Sequence, residues 1–234
     1  AFQVFSQSAV RVSQGAVTLH SLDLGGFTPD GSEYVLKLLS QKGTYRLPPQ
    51  PWINVMANEG FGTLVSETGG GFTWAGNSQS NRLTPWQNDP VTDTLGEVIY
   101  LRDPNSGRVW TATPQPCGAP APFRVRHGQG YTIFEHEREQ LFHELTVFVP
   151  PDEPLKIYRL KIRHSGDKPR RLVVAFFAEL AANAGFGLRG ARVFAGLRPT
   201  FSAAKALGHT SFTPQPSQLG FRAKQMRRPW KISV

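Results

Sequence analysis

Trp74, Asn77, Asn81, Arg82, Thr84 and Trp86 fall within thirteen residues of the segment Gly69–Pro90. Flat indole rings lie against the apolar C–H faces of pyranose sugars, while amide, guanidinium and hydroxyl groups bond the sugar hydroxyls. A few convergent polar groups beside apolar surface is the composition of a small-ligand site. The same residues also fit a structural role, with both indoles capping a core and the asparagines making turns. The segment has no steady apolar period and is read as a loop.

His127, His136 and His143 lie near Glu135, Glu137, Glu139 and Glu144, which raises metal binding as an option. Their spacing matches no compact ligand motif, and one continuous strand would send His136 and His143 to opposite faces unless a turn intervenes. Polar strand edges are the expected role for these histidines. The acids raise a glycosidase carboxyl pair, which needs about 5–10 Å between carboxyls, but spacing in sequence does not set spacing in space. Cys117 sits in the proline-rich Thr113–Pro120 with no adjacent base to make a thiolate. No phosphate loop, dinucleotide fingerprint or Cys-x-x-Cys pair occurs. No catalytic residue, metal or cofactor is assigned from these patterns.

The elements that position these groups read as short strands. Glu33–Leu38, Phe61–Ser66, Glu97–Arg102, Arg108–Thr113, Phe123–Arg126, Tyr131–Phe134, Glu144–Val149, Tyr158–Arg163 and Leu172–Phe177 recur with turn signals between them. Asp103–Gly107 supplies hairpin chemistry. Tyr158, Leu160 and Ile162 share one face and Arg159, Lys161 and Arg163 the other, the period of a half-exposed strand. Leu172–Phe177 is apolar on both faces, as for a strand buried between layers. Glu179–Ala184 is the one stretch that could open a helix. The expected class is all-β, an antiparallel sandwich.

Twenty-three glycines and nineteen prolines in 234 residues, with 18% charged residues, agree with a turn-rich fold. A single cysteine excludes an internal disulfide. No apolar run approaches a membrane span and no signal-peptide pattern opens the chain, so a soluble, cytoplasmic location is expected. The net charge of +9 is localised: residues 185–234 hold nine Lys/Arg and no acid, and the rest is neutral. That tail lacks aromatic–basic interleaving, so specific nucleic-acid binding is not expected. Without a periodic apolar face, it is read as poorly packed. The expected organisation is a poorly patterned segment 1–23, a sandwich domain 24–184, and a basic irregular tail 185–234.

Gly25–Tyr34, Pro51–Asn58, Thr73–Asn77 and Asn81–Trp86 occur in order, followed by Asn88–Pro90, Gly96–Asp103, Arg126–Tyr131 and Phe148–Asp152. This succession resembles the sugar-binding sandwich that precedes the catalytic barrel in cyclic β-1,2-glucan synthases and in glycoside phosphorylases of the cellobiose phosphorylase type. The likeness covers about residues 24–184 and is nearer to the synthase branch. It implies a galactose mutarotase-like supersandwich that stacks on an α/α barrel, with the general acid and the inorganic phosphate site in the barrel. It implies ligand-side or interface roles for Trp74, Asn77, Asn81, Arg82, Thr84 and Trp86, and for His127, Gln129 and Tyr131 of the second motif. The implied partners are a β-glucan or gluco-oligosaccharide and the parent protein's barrel, and the parent synthase is expected at the inner membrane. A module that docks on the barrel without binding free sugar is the alternative. After Leu180 the likeness stops, as a shifted reading frame or gene fragment would produce, and the chain by itself is expected to be non-catalytic.

Overall fold

The computed structural model describes residues 3–4, 24–41, 44–87, 89, 91, 93, 95–118, 121–181 and 230–233. Among them are strands and turns and no helix. Most of segment 1–23 and of the basic tail lies outside the described residues. No helix among those described is long and apolar enough to cross a membrane.

One sheet contains six strands. It runs β14 (Ile157–His164), β13 (Leu141–Phe148), β12 (Tyr131–Arg138), β11 (Phe123–Gly128), β3 (Glu33–Leu38) and β2 (Gly25–Phe27), all antiparallel. A second runs β1 (Gln3–Val4), β6 (Trp52–Ala57), β7 (Phe61–Ser66) and β8 (Gly71–Ala75), with only β1 and β6 parallel. A third runs β10 (Val109–Thr111), β9 (Glu97–Arg102), β15 (Arg171–Ala178) and β16 (Trp230–Ser233). A two-stranded ribbon, β4 (Ser40–Gln41) with β5 (Thr44–Tyr45), completes the set.

Period-two patterning decides which side chains go inward. Leu36 and Leu38 of β3, Phe123 and Val125 of β11, Phe134 of β12 and Leu145 and Val147 of β13 enter one core. Met56, Phe61 and Val65 join it from the second sheet, and Ile99, Leu101 and Leu172 from the third. On β14, Tyr158, Leu160 and Ile162 pack against this core while Arg159, Lys161 and Arg163 are exposed. The β9–β10 hairpin forms where expected. The Asp103 carboxylate accepts the Asn105 N–H at 2.8 Å, and Gly107 takes a φ of 71° that a side chain would disfavour.

Four expectations change. Gly71–Ala75 is strand β8, so Trp74 stands on a sheet and not in a loop. β15 is not buried on both faces: Leu172 is fully buried, but Phe177 is 48% exposed. Glu179, Leu180 and Ala181 are non-helical, and the rest of the possible helix lies outside the described residues. His136 and His143 are core residues and not strand edges, at 3% and 1% exposure. A turn does intervene between them, with Glu139 and Gln140 at φ 51° and 63°. It folds β13 back on β12, pairs His136 with His143, and stacks their rings at 5.0 Å. Burial, then the neighbouring His136, pushes the His143 pKa down to about 3.

One buried polar group ties the layers together. Glu97 on β9 accepts from Thr73 Oγ1 of β8 at 2.6 Å, from Lys156 Nζ at 2.8 Å, and from the Tyr158 hydroxyl of β14. Burial alone would raise its pKa, but Lys156, Thr73 and Tyr158 outweigh that and hold the carboxyl below its ordinary range.

Candidate functional site on the outer face of the β6–β7–β8 sheet

Alternation along β6 sends Trp52, Asn54 and Met56 toward the six-stranded sheet and Ile53, Val55 and Ala57 away from it. The ladder extends that outer face across Gly62 and Leu64 of β7 to Phe72 and Trp74 of β8. Ile53, Leu64 and Phe72 form a small buried cluster separate from the main core, and Trp74 and Trp86 pack on it. Trp86 stacks on the Phe72 ring at 5.1 Å, and Trp74 lies beside the same ring at 5.1 Å. Both indoles are half-buried. Next to them, Val55 and Ala57 are exposed, which leaves an apolar strip on a sheet face.

Gly62 seats Trp74. A Cβ at residue 62 would lie 2.3 Å from Cζ2 of that indole and 2.9 Å from the Ala57 Cβ. The ring therefore occupies space that any other residue would fill. The chain after β8 folds back over the strand, with the Leu83 N–H donating to the Thr73 carbonyl at 2.8 Å. Arg82 then holds the loop closed. Its Nη1 donates to the Trp86 carbonyl and its Nε to that of Ser78, both at 3.1 Å, and its guanidinium carbon lies 5.4 Å from the Phe72 ring centre.

Further along, Asp93 latches the loop to the end of β7. Its carboxylate accepts from Ser66 Oγ at 2.6 Å and from Thr68 Oγ1, and burial raises its pKa. Nearby Glu67 is 1% exposed and accepts the Trp52 N–H at 2.8 Å. Burial pushes its pKa up to about 8, and the Asp93 charge adds to the rise.

The nine residues expected to bind ligand divide in two. Trp74, Asn77, Asn81, Arg82, Thr84 and Trp86 belong to the outer face or to the loop over it. Asn77 is exposed, and its side-chain oxygen accepts the N–H groups of Gln79 and Ser80, each at 2.9 Å. Asn81 donates to the Ala75 carbonyl at 3.0 Å. Thr84 is 3% exposed, with its hydroxyl accepting the Thr73 N–H at 2.9 Å, so its oxygen holds the loop and does not face solvent.

His127, Gln129 and Tyr131 lie at the β11–β12 turn, on the other side of β6. Asn54, which points inward, donates to the Gly128 and Tyr131 carbonyls there at 2.8 Å. His127 is 5% exposed beside Thr132 Oγ1 at 3.0 Å, and burial lowers its pKa to about 4. Tyr131 donates its hydroxyl to Glu33 at 2.7 Å, and Gln129 is exposed at the tip. The two groups do not converge on one site. Sequence reasoning missed Phe72, Gly62 and Val55, whose signal was the alternation of β6 and the pairing of Phe72 with Leu64.

No group of three or more His, Cys, Asp or Glu able to hold a metal ion occurs among the described residues. Glu135 faces Arg124 and Arg126, and Glu144 pairs with Lys161 at 2.8 Å, so these acids belong to surface ion pairs.

The comparisons with known proteins agree with this architecture. The chain is 42% identical over 160 residues to the cyclic beta-(1,2)-glucan synthase NdvB of Rhizobium meliloti (strain 1021), an overlap of 66% of this chain and 5% of that protein. It is 30% identical over 160 residues to the N,N'-diacetylchitobiose phosphorylase of Vibrio proteolyticus, 67% of this chain and 19% of that protein. It is 27% identical over 149 residues to the 3-O-beta-D-glucopyranosyl-beta-D-glucuronide phosphorylase of Paenibacillus borealis, 63% of this chain and 17% of that protein. The chain thus spans a fifth or less of the length of these relatives. Residues 32–185, well over half of the chain, match the glycosyl hydrolase 94 supersandwich domain, and the chain belongs to that family.

Proposed function

We propose that this supersandwich domain binds a β-glucan segment along the outer face of the β6–β7–β8 sheet. In this reading it serves an enzyme that makes or phosphorolyses β-glucosides and does no chemistry itself. The observation that supports it is the half-buried Trp74 indole, seated on Gly62 and bordered by the exposed Val55 and Ala57. An indole held rigidly at a sheet surface offers apolar contact to a sugar ring with little loss of side-chain freedom. Arg82 and Asn77 at the loop supply polar groups near its edge. A β-glucan is favoured by the likeness to a cyclic β-1,2-glucan synthase.

The test is a titration of the folded chain with β-1,2-gluco-oligosaccharides, followed by tryptophan fluorescence and calorimetry. Saturable binding is expected, and Trp74→Ala should weaken it by ~1–3 kcal/mol, the contribution of one such ring. Absence of any response at millimolar sugar would overturn the reading.

The exposed strip of Val55 and Ala57 favours a second reading, in which this face docks on a catalytic barrel and binds no free sugar. Co-sedimentation with a separately expressed barrel, in the absence of sugar, separates the two. Loss of that complex in Val55→Asp would favour docking.

A further inference from the structure

A pocket of about 390 Å³ opens between the β9–β10 hairpin and the β12–β13 turn. Its floor is largely aromatic, made by Trp110, His136 and Leu141, all buried. His143 also lines it, and burial, then the neighbouring His136, pushes its pKa down to about 3, so that imidazole is neutral at neutral pH. Its rim is cationic, with Arg108, Arg138 and Arg170 among the lining residues.

These three guanidiniums converge on one carboxylate. Glu139 pairs with Arg108, with Arg138 at 3.2 Å and with Arg170 at 3.5 Å. Burial works against the charge, but Arg108, Arg138 and Arg170 together outweigh it, so the Glu139 pKa lies below its ordinary range. Glu139 sits on the two-residue turn, with its side chain 42% exposed. Arg170 is additionally fixed by Asp103, at 3.1 and 3.2 Å.

We propose that this pocket is a second ligand site, that it takes a phosphomonoester of monosaccharide size, and that Glu139 is the resident anion the phosphate displaces. The charge balance selects the phosphate. With Glu139 swung away, three guanidiniums against Asp103 leave two positive charges. A phosphomonoester carries about −1.5 to −2 near neutral pH and three acceptor oxygens, whereas a carboxylate neutralises only half of the excess. Arginine forks match phosphate oxygens in bidentate pairs. The cavity leaves room beyond the rim for one sugar ring, which would rest on Trp110 and Leu141. This site shares no residue with the indole face, so it stands or falls independently of the proposed glucan binding.

Calorimetry on the full chain at neutral pH and low salt, with α-D-glucose 1-phosphate as probe and glucose and inorganic phosphate as comparison arms, tests it. The ester is expected to bind more tightly than inorganic phosphate, and glucose not at all. Arg138→Gln and Arg108→Gln, both at the surface, should each weaken the ester roughly tenfold. Glu139→Gln should tighten it several-fold by removing the competitor, a change that needs no rearrangement of the fold. Weaker binding in Glu139→Gln, equal binding of glucose, or no heat with the ester at millimolar concentration would each overturn the site. Equal affinity for inorganic phosphate would overturn the part assigned to the sugar ring.

Discussion

Gly62→Ala places a methyl group where the Trp74 indole now lies. The added Cβ would stand 2.3 and 2.5 Å from two ring carbons and 2.9 Å from the Ala57 Cβ. Carbon atoms rest at about 3.5–4.0 Å, so the ring must move outward by more than 1 Å, or the β6–β7 pair must open. Neither movement is small, because Phe72 holds the indole from the side, and Ala57 and Gly62 face each other directly beside the Asn58 N–H, which donates to the Phe61 carbonyl at 2.9 Å. Overpacking of this kind is worth roughly 1–3 kcal/mol of destabilisation. At about 2–4 °C per kcal/mol for a domain of this size, thermal unfolding should shift down by roughly 2–12 °C. Gly60→Ala is the matched control: it lies two residues away, and a Cβ there meets nothing within 4 Å. Calorimetric melting reads the stability, and tryptophan emission reads the displaced ring, which should become more hydrated. If Gly62→Ala melts with Gly60→Ala and its emission is unchanged, the indole is not seated on the glycine and the binding face has been misassigned.

Two further predictions concern buried charge. Glu67 has a folded-state pKa of about 8 against an ordinary 4.5, so the folded chain binds a proton there that the unfolded chain has released. Stability therefore falls as pH rises between those values, at about 1.4 kcal/mol per pH unit, and levels off above the folded pKa. Glu67→Gln, which keeps an acceptor for the Trp52 N–H, should remove that decline, and parallel slopes for the two proteins in pH-dependent urea unfolding would refute the assignment. Lys156→Met strips the cation from buried Glu97 and should cost ~3–5 kcal/mol, of which Lys156→Met with Glu97→Gln recovers a part. A single variant within about 1 kcal/mol of the parent in chemical denaturation would show that the pair does not stabilise the fold.

Local sequence carried most of the strand map. β3, β7 and β9 lie at their expected bounds, because alternating side chains and Asp/Gly turn chemistry are local signals. The β12–β13 turn was illegible, since Glu139 and Gln140 occupy left-handed conformations that Asn-Gly pairs normally announce. That hidden turn is what brings His136 onto His143 and Glu139 onto three arginines. β8 was masked for a similar reason: its glycines and the polar loop behind it look like turn material, and only pairing with β7 makes Gly71–Ala75 a strand.

The sequence by itself determined an all-β antiparallel chain, the family, and the concentration of indole and amide groups between residues 74 and 86. The tertiary structure alone decided how those groups divide. Side-chain chemistry is a property of each residue, whereas direction depends on register: adjacent Ile53 and Asn54 point to opposite faces of one sheet. Through that alternation Trp74 reaches an outer apolar strip, and the His127–Tyr131 turn is bound to the opposite side. Packing also closed Thr84 and His127 inside, where the Thr84 hydroxyl accepts the Thr73 N–H and His127 Nδ1 lies 3.0 Å from the Thr132 hydroxyl.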